Sequence, residues 1–373
     1  MVTTHVTPTK VGVQSSNLLD SGFRRNDEPE QLLKMSLAKF LIFSPALFLS
    51  SIVSAAGEPL VAWKSPPLNF EAVDFSVADF IGGKDSQLAV ASSRKIFLYS
   101  YPLISSTPVS VYSMPESQSR ILSLVASSLG KGAKPKLFVT YYDASLGQVG
   151  TSVLEFSLLQ KNWKRLAKIP YVVREISGIG SGALFCQQLL DNDSFPMSSI
   201  YPLTYEGGAY SSADKSYGQS LSRWLYSQTA ARVGGQDFRA ALTKGNRLEI
   251  SSQGRRWTLP GSYGQSVNRL RWPASSSHTL EFSPRIIFGN GVLFVVKNDS
   301  RWGILAESFG MFDRGGIFSF DWNNGEFEKN WETHLPGAVS DIDFVRSSDF
   351  SAPQIVALWV GSSKKSHLWA FNL

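Results

Sequence analysis

Three times in full along this chain, and once in part, a tryptophan is followed by a proline or glycine turn and then by a fresh apolar run. The full copies are Ala62-Trp63-Lys64-Ser65-Pro66-Pro67 before residues 72–80, Asn162-Trp163 through Pro170 before residues 172–179, and Asn330-Trp331-Glu332-Thr333-His334-Leu335-Pro336 before residues 339–345. Arg256-Trp257-Thr258-Leu259-Pro260 is a shorter copy. Self-similarity at a long, regular period marks stacked supersecondary units, because one such unit cannot bury its apolar face alone.

The intervals set the size of the unit. Trp63 and Trp163 lie 100 residues apart, and Trp163 and Trp257 lie 94 apart. Either distance holds two four-stranded units of about 40–50 residues. The 74 residues from Trp257 to Trp331 fit one unit with an insertion, or two short ones. Between these landmarks the pattern is that of strands. Phe97, Tyr99 and Tyr101 alternate onto one face, as do Phe318, Phe320 and Trp322. Residues 88–91, 136–142, 292–296 and 355–360 are continuous apolar runs suited to strands covered on both faces. Gly82-Gly83, Gly207-Gly208, Gly234-Gly235, Gly289-Asn290-Gly291 and Asn323-Asn324-Gly325 punctuate them with turns. No helix of three or more turns is expected.

These signals predict an all-β fold, a β-propeller of six or seven four-stranded blades. Its inner strands are expected to start near Val73, Ile121, Val173, Trp224, Val267 and Val339. Residues 339–373 offer only three strands for the last blade. The fourth is expected from residues 60–65, so that the N- and C-terminal strands close the ring and leave no open edge.

Ahead of the propeller, residues 1–34 show no sustained period and resemble a translated interspersed repeat, so Met35 is the expected start of the protein. Residues 35–56 then read as a signal peptide. Lys34 and Lys39 supply the positive end, residues 40–53 the apolar stretch, and Ser54-Ala55-Ala56 the small residues before a cut at Gly57. Pro45 and the short length argue against a spanning helix, which needs about 20 apolar residues. The expected location is periplasmic or secreted, with no stable membrane anchor after cleavage and residues 57–373 as a single domain.

Composition excludes several functions. The net charge is +6, yet the longest basic runs are pairs such as Arg255-Arg256 and Lys364-Lys365. Nucleic-acid binding would need a clustered stripe, so no nucleic-acid partner is expected. The one cysteine, Cys186, sits in the apolar run 183–190 and reads as a small buried hydrophobe.

The segment Phe75-Ser76-Val77-Ala78-Asp79-Phe80-Ile81-Gly82-Gly83-Lys84-Asp85-Ser86-Gln87-Leu88-Ala89-Val90-Ala91 and the stretch 308–336, with Asp313-Arg314-Gly315-Gly316-Ile317, resemble the bacterial FG-GAP/VCBS propellers of the integrin α-like class. That resemblance implies a propeller whose loops hold Ca²⁺ through an Asp-x-Asp-x-Asp-Gly pattern. Here the corresponding loops are depleted in carboxylates: residues 79–85, 128–132 and 347–350. Asp191-Asn192-Asp193 comes nearest, with Asp191 and Asp193 as weak metal candidates beside a plain polar turn. No metal and no cofactor are therefore expected.

Other motifs lack context. Gly178-Ile179-Gly180-Ser181-Gly182-Ala183 matches a dinucleotide fingerprint, but no βαβ pattern surrounds it. His278, His334 and His367 are isolated from metal-ligand spacing. Asp341 and Asp343 share one strand face, a pairing that serves structure more often than glycosidase chemistry. The functional expectation is a monomeric, non-enzymatic module, binding or scaffold, for a protein or glycan partner, with Tyr210, Tyr217, Trp224, Arg269 and Trp272 as candidate anchors and blade packing as the alternative for each. A propeller hydrolase or lyase with carboxylates in the central channel is the alternative function.

Overall fold

The structure, a computed structural model, describes residues 58–83, 85–129, 133–176, 183–190, 197–218, 220–272, 278–345 and 352–373. Among them, six four-stranded antiparallel sheets succeed one another along the chain. Blade 1 is built from Ala72–Ala78, Gln87–Ser92, Lys95–Ser100 and Ser110–Ser113. Blade 2 comprises Ser119–Ser127, Lys136–Asp143, Gln148–Ser157 and Asn162–Ile169. Val172–Glu175, Leu184–Leu189, Met197–Glu206 and Ala209–Ser212 form blade 3. Blade 4 follows with Gln228–Val233, Gln236–Leu242, Leu248–Ser252 and Arg255–Thr258. Blade 5 has Ile287–Gly289, Val292–Asp299, Arg314–Asn323 and Glu326–Leu335.

Blade 6 takes Ala338–Val345, Gln354–Val360 and Ser366–Asn372 from the C-terminal end, and Val61–Lys64 as its outer strand. Val61 pairs with Phe371, Trp63 with Ala370 and Lys64 with Trp369. The ring is closed as the strand count required. The chain is a β-propeller with six blades.

The recurrent tryptophans all fall on outermost strands, and packing between blades explains their spacing. Trp63 of blade 6 meets Tyr101 of blade 1 edge-on, with ring centroids 5.4 Å apart. Trp163 of blade 2 packs on Phe80 of blade 1 at 5.2 Å. Trp257 of blade 4 packs on Trp322 of blade 5 at 5.1 Å. Trp331 of blade 5 lies 6.5 Å from Phe371 of blade 6. A flat sheet exposes apolar residues on both faces, so the core of such a fold lies in the seams between blades. One seam joins Ala89, Ile96 and Leu98 of blade 1 to Ile121, Leu137 and Tyr141 of blade 2. Another joins Phe75 and Leu88 to Val356 and Leu368 of blade 6. The continuous apolar runs are second strands, covered on both sides, as in Gln87–Ser92 and Gln354–Val360.

Two expected inner strands are displaced. The strand sought at Trp224 begins at Gln228, after a 3-10 turn over Leu225–Ser227. The strand sought at Val267 belongs to no blade. It leads into a separate two-stranded hairpin, Arg269–Arg271 with Thr279–Glu281, and blade 5 starts only at Ile287. The long Trp257–Trp331 interval is therefore one blade plus an insertion.

Candidate functional site

The inner strands of all six blades surround a central channel, and the inserted hairpin covers one end of it. Asn268 donates through its Nδ2 to the Leu122 carbonyl on the inner strand of blade 2. Arg120 of the same strand donates back to Asn268 Oδ1 at 2.8 Å and to the Arg269 carbonyl at 3.1 Å. Leu270, Trp272, Leu280 and Phe282 of the hairpin share one core with Leu122, Val172, Phe185 and Trp224. These contacts lie where the inner strands begin. The opposite end, where they finish, opens into a cavity of about 580 Å³. Each blade contributes to its lining: Val77, Ala126, Glu175, Arg232, Phe288 and Phe344.

Arg285, at the end of the insertion, sits at the floor of this cavity. Its Nη1 lies 2.8 Å from Asp343, and its Nη2 lies 3.1 Å from Asp341 and 3.6 Å from Asp74. The same guanidinium donates to the carbonyls of Phe75, Leu124 and Ile342, so one side chain from the edge of blade 5 ties blades 6, 1 and 2 together. The carboxylates also accept from backbone amides. Asp74 accepts from the Leu124 amide at 2.7 Å and the Phe75 amide at 2.6 Å. Asp343 accepts from Val77 at 3.2 Å and Phe344 at 2.9 Å, and Asp341 accepts from the Arg285 amide at 2.6 Å. Register shifts next to Asp74 and Asp341 bend both strands there, as bulges do when they re-aim a side chain.

Burial opposes charge at this cluster. Loss of solvent raises the Asp74 carboxyl well above its usual range, with Asp341 adding repulsion and Arg285 pulling the other way. Asp343 is raised for the same first reason, against the pull of Arg285. Burial also works against the Arg285 cation, yet Asp341, Asp343 and Asp74 together hold its pKa above the ordinary value. Across the channel Arg174 donates to the Ser283 carbonyl at 2.9 Å and lies 4.7 Å from the centroid of the Tyr226 ring. Desolvation lowers its pKa. The Tyr226 hydroxyl meets Ser123 at 2.5 Å and donates to the Val173 carbonyl at 3.0 Å, which fixes the ring.

At the mouth, Phe344 is held by a close approach. A Cβ on Gly289 would lie 2.5 Å from the Phe344 ring, so only glycine lets the ring rest against the blade 5 backbone.

The candidate residues read from sequence are distributed differently. Trp224 is buried, donating from Nε1 to the Glu281 carbonyl at 2.6 Å. Trp272 is buried in the hairpin core. These two rings are packing residues with no face left for a partner. Tyr217 is half-buried against Phe185 at 4.9 Å, and the Tyr210 ring lies tilted against Tyr205 at 4.6 Å. Arg269 pairs with Glu281 at 3.1 Å and donates to the Ser308 carbonyl at 2.8 Å. The five are not gathered in one site. Asp191, Asp193 and most of the 178–183 glycine run lie outside the described residues; after the run comes a strand, Leu184–Leu189, where a dinucleotide site needs a helix. Cys186 is buried among Val125, Phe138 and Val153, with its thiol pushed up to about 12 by burial. Asp79, in the loop that resembles an acidic family loop, accepts from the Gly82 and Gly83 amides at 2.7 and 3.1 Å, closing a turn on itself.

No protein family and no curated protein matches the chain. Among solved structures, the chain is similar to the WD40 domain of Toxoplasma gondii coronin at 10% identity, covering 81% of this chain and 69% of that one with a TM-score of 0.40. It is also similar to the Penicillium chrysogenum alpha-L-arabinanase complexed with arabinobiose, at 12% identity over 84% of this chain and 98% of that one, with a TM-score of 0.45.

Proposed function

We propose that the protein is an exported, non-enzymatic propeller of the FG-GAP/VCBS type that uses the open channel mouth to bind a glycan or a protein segment in the periplasm or outside the cell. The observation that carries this reading is the commitment of Asp74, Asp341 and Asp343 to Arg285 and to backbone amides. Three carboxylates do converge in the channel, but general acid–base work needs a carboxyl within reach of substrate and free to exchange a proton. Those at the floor spend their lone pairs on holding blades together. What faces the cavity is a mixture of apolar walls (Val77, Ala126, Phe344), polar groups (Glu175, Arg232, Asn290) and the Arg285–Asp343 ion pair, a lining suited to recognition. Export is supported by Lys39, the apolar stretch 40–53 and Ser54-Ala55-Ala56.

A panel of soluble glycans, titrated by calorimetry and assayed in parallel for bond cleavage, tests the reading. Binding without cleavage, weakened about tenfold or more by Phe344→Ala, is the expected result. Cleavage that vanishes in Asp343→Asn while the melting temperature holds would establish the hydrolase instead.

A further inference from the structure

A second surface lies away from the channel mouth. Between the strands Val292–Asp299 and Arg314–Asn323 of blade 5 the chain makes an excursion that includes the short helix Ile304–Ser308. It is firmly held. The Met311 amide donates to the Ala306 carbonyl at 2.9 Å, Gly310 to Glu307 at 2.9 Å, and Ser300 to the Glu307 carboxylate at 3.2 Å. Arg301 pairs with Asp313 at 2.8 Å, and Arg269 of the channel hairpin braces the Ser308 carbonyl from below. Ala306 is buried beneath. Yet four large apolar side chains of this tip face water: Trp302 is 74% exposed, Leu305 77%, Phe309 76% and Met311 58%. Isolated exposed apolar residues are ordinary, but four within ten positions of a braced loop mark a contact surface.

We infer that this tip docks on an anionic lipid bilayer. The distribution of charge selects that occupant. The charged residues standing exposed on the tip and its bracing strand are Arg271, Arg301 and Arg314, all cationic. The acidic ones are half-buried and bonded: Glu281 to Arg269, Asp299 to Lys297, Glu307 to the Ser300 amide, and Asp313 to Arg301 at 2.8 Å and to Arg314 at 3.9 Å. Apolar side chains that enter the headgroup region, an interfacial tryptophan and arginines at the level of lipid phosphates are the three elements of peripheral membrane binding. A stable protein interface uses about 800 Å² on each side, shaped to its partner. A tip of four side chains is small for that, whereas a bilayer accepts it without a matching shape.

The test uses the full chain as the cell processes it, sedimented with vesicles of phosphatidylglycerol and phosphatidylcholine in equal parts, and with phosphatidylcholine alone. The variant with Trp302→Ser, Leu305→Ser and Phe309→Ser alters exposed groups, so its melting temperature should match the wild type. It keeps the same N-terminal residues as the wild type, and so controls for any binding through them. Binding to the anionic vesicles, about tenfold weaker in the triple variant, weakened again by Arg314→Gln and by salt, is expected. The proposal falls if the wild type ignores anionic vesicles, if it binds both kinds equally, or if the triple variant binds as the wild type does. It falls too if the triple substitution instead dissolves an oligomer of the wild type, which would make the tip a protein interface.

Discussion

Arg285 Nη1 stands 2.8 Å from the Asp343 carboxylate, and this pair joins the end of the insertion before blade 5 to the inner strand of blade 6 across the channel floor. With Asp341 and Asp74 within 3.6 Å of the same guanidinium, one cation compensates three buried acids. Such a cluster is weak evidence of stabilisation as built, because desolvation offsets much of the attraction. Removing its single cation is another matter. Arg285→Met should cost about 3–5 kcal/mol, since it leaves buried carboxylates uncompensated. Urea unfolding checks this, and a loss within error of zero would mean that the acids are neutral in the fold.

The same cluster sets a pH dependence. Asp343 has a folded-state pKa above its ordinary 3.8, so the fold holds this proton more tightly than the unfolded chain does. Its contribution to stability therefore grows as pH falls through the raised value and levels off below 3.8. Asp343→Asn abolishes that growth. Melting curves between neutrality and pH 4 should show the wild type gaining on the variant as the solution is acidified. A gap that narrows instead would mean that Arg285 outweighs burial.

Asn298 offers a test of how the hairpin insertion is anchored. Its buried side chain donates to the Gln265 carbonyl at 2.8 Å and the Val339 carbonyl at 2.9 Å, and accepts from the Val339 amide at 2.8 Å. Asn298→Ala strands these groups away from water, at about 1–3 kcal/mol for each one left unmet. A total loss of at least about 2 kcal/mol in denaturant unfolding is expected. Little change would show that water enters and replaces the amide.

The blades were legible in the sequence because each seam depends on a large ring at a fixed place. Trp63, Trp163, Trp257 and Trp331 reach a neighbouring blade from outer strands, so their spacing reports blade size directly. The hairpin was not legible. Its strands, Arg269–Arg271 and Thr279–Glu281, alternate apolar and polar residues as a blade strand does, and only their partners across the channel distinguish them. The site was half legible. Asp341 and Asp343 announce a shared strand face, whereas Arg285 and Asp74 are separated by 211 positions and carry no local pattern that links them. For Trp224 and Trp272 the sequence left packing and partner binding both open, because aromatic residues in turn-rich stretches look the same whether they seal a core or await a partner.

Closure of the ring gives the last prediction. Val61–Lys64 is the outer strand of blade 6, and the segment after it continues the seal: Ser65 donates from its amide to the Leu368 carbonyl at 2.8 Å, and Leu68 exchanges backbone bonds with Ser366 at 2.9 and 3.2 Å. Leu68 is fully buried between blades 6 and 1, with Trp63 and Phe70 packed against the same core. Deleting residues 57–68 would strip the strand Ser366–Asn372 of its partner, leaving a row of unpaired amides and carbonyls on an apolar edge. An edge of that kind templates pairing with other chains. It would also remove a buried leucine, a loss of about 2–5 kcal/mol from the cavity alone. The truncated chain should therefore aggregate, or melt over a broad, non-cooperative range. Light scattering and calorimetry on the two forms decide the matter: a truncated protein that stays monodisperse and melts at the wild-type temperature would mean that three strands suffice for blade 6.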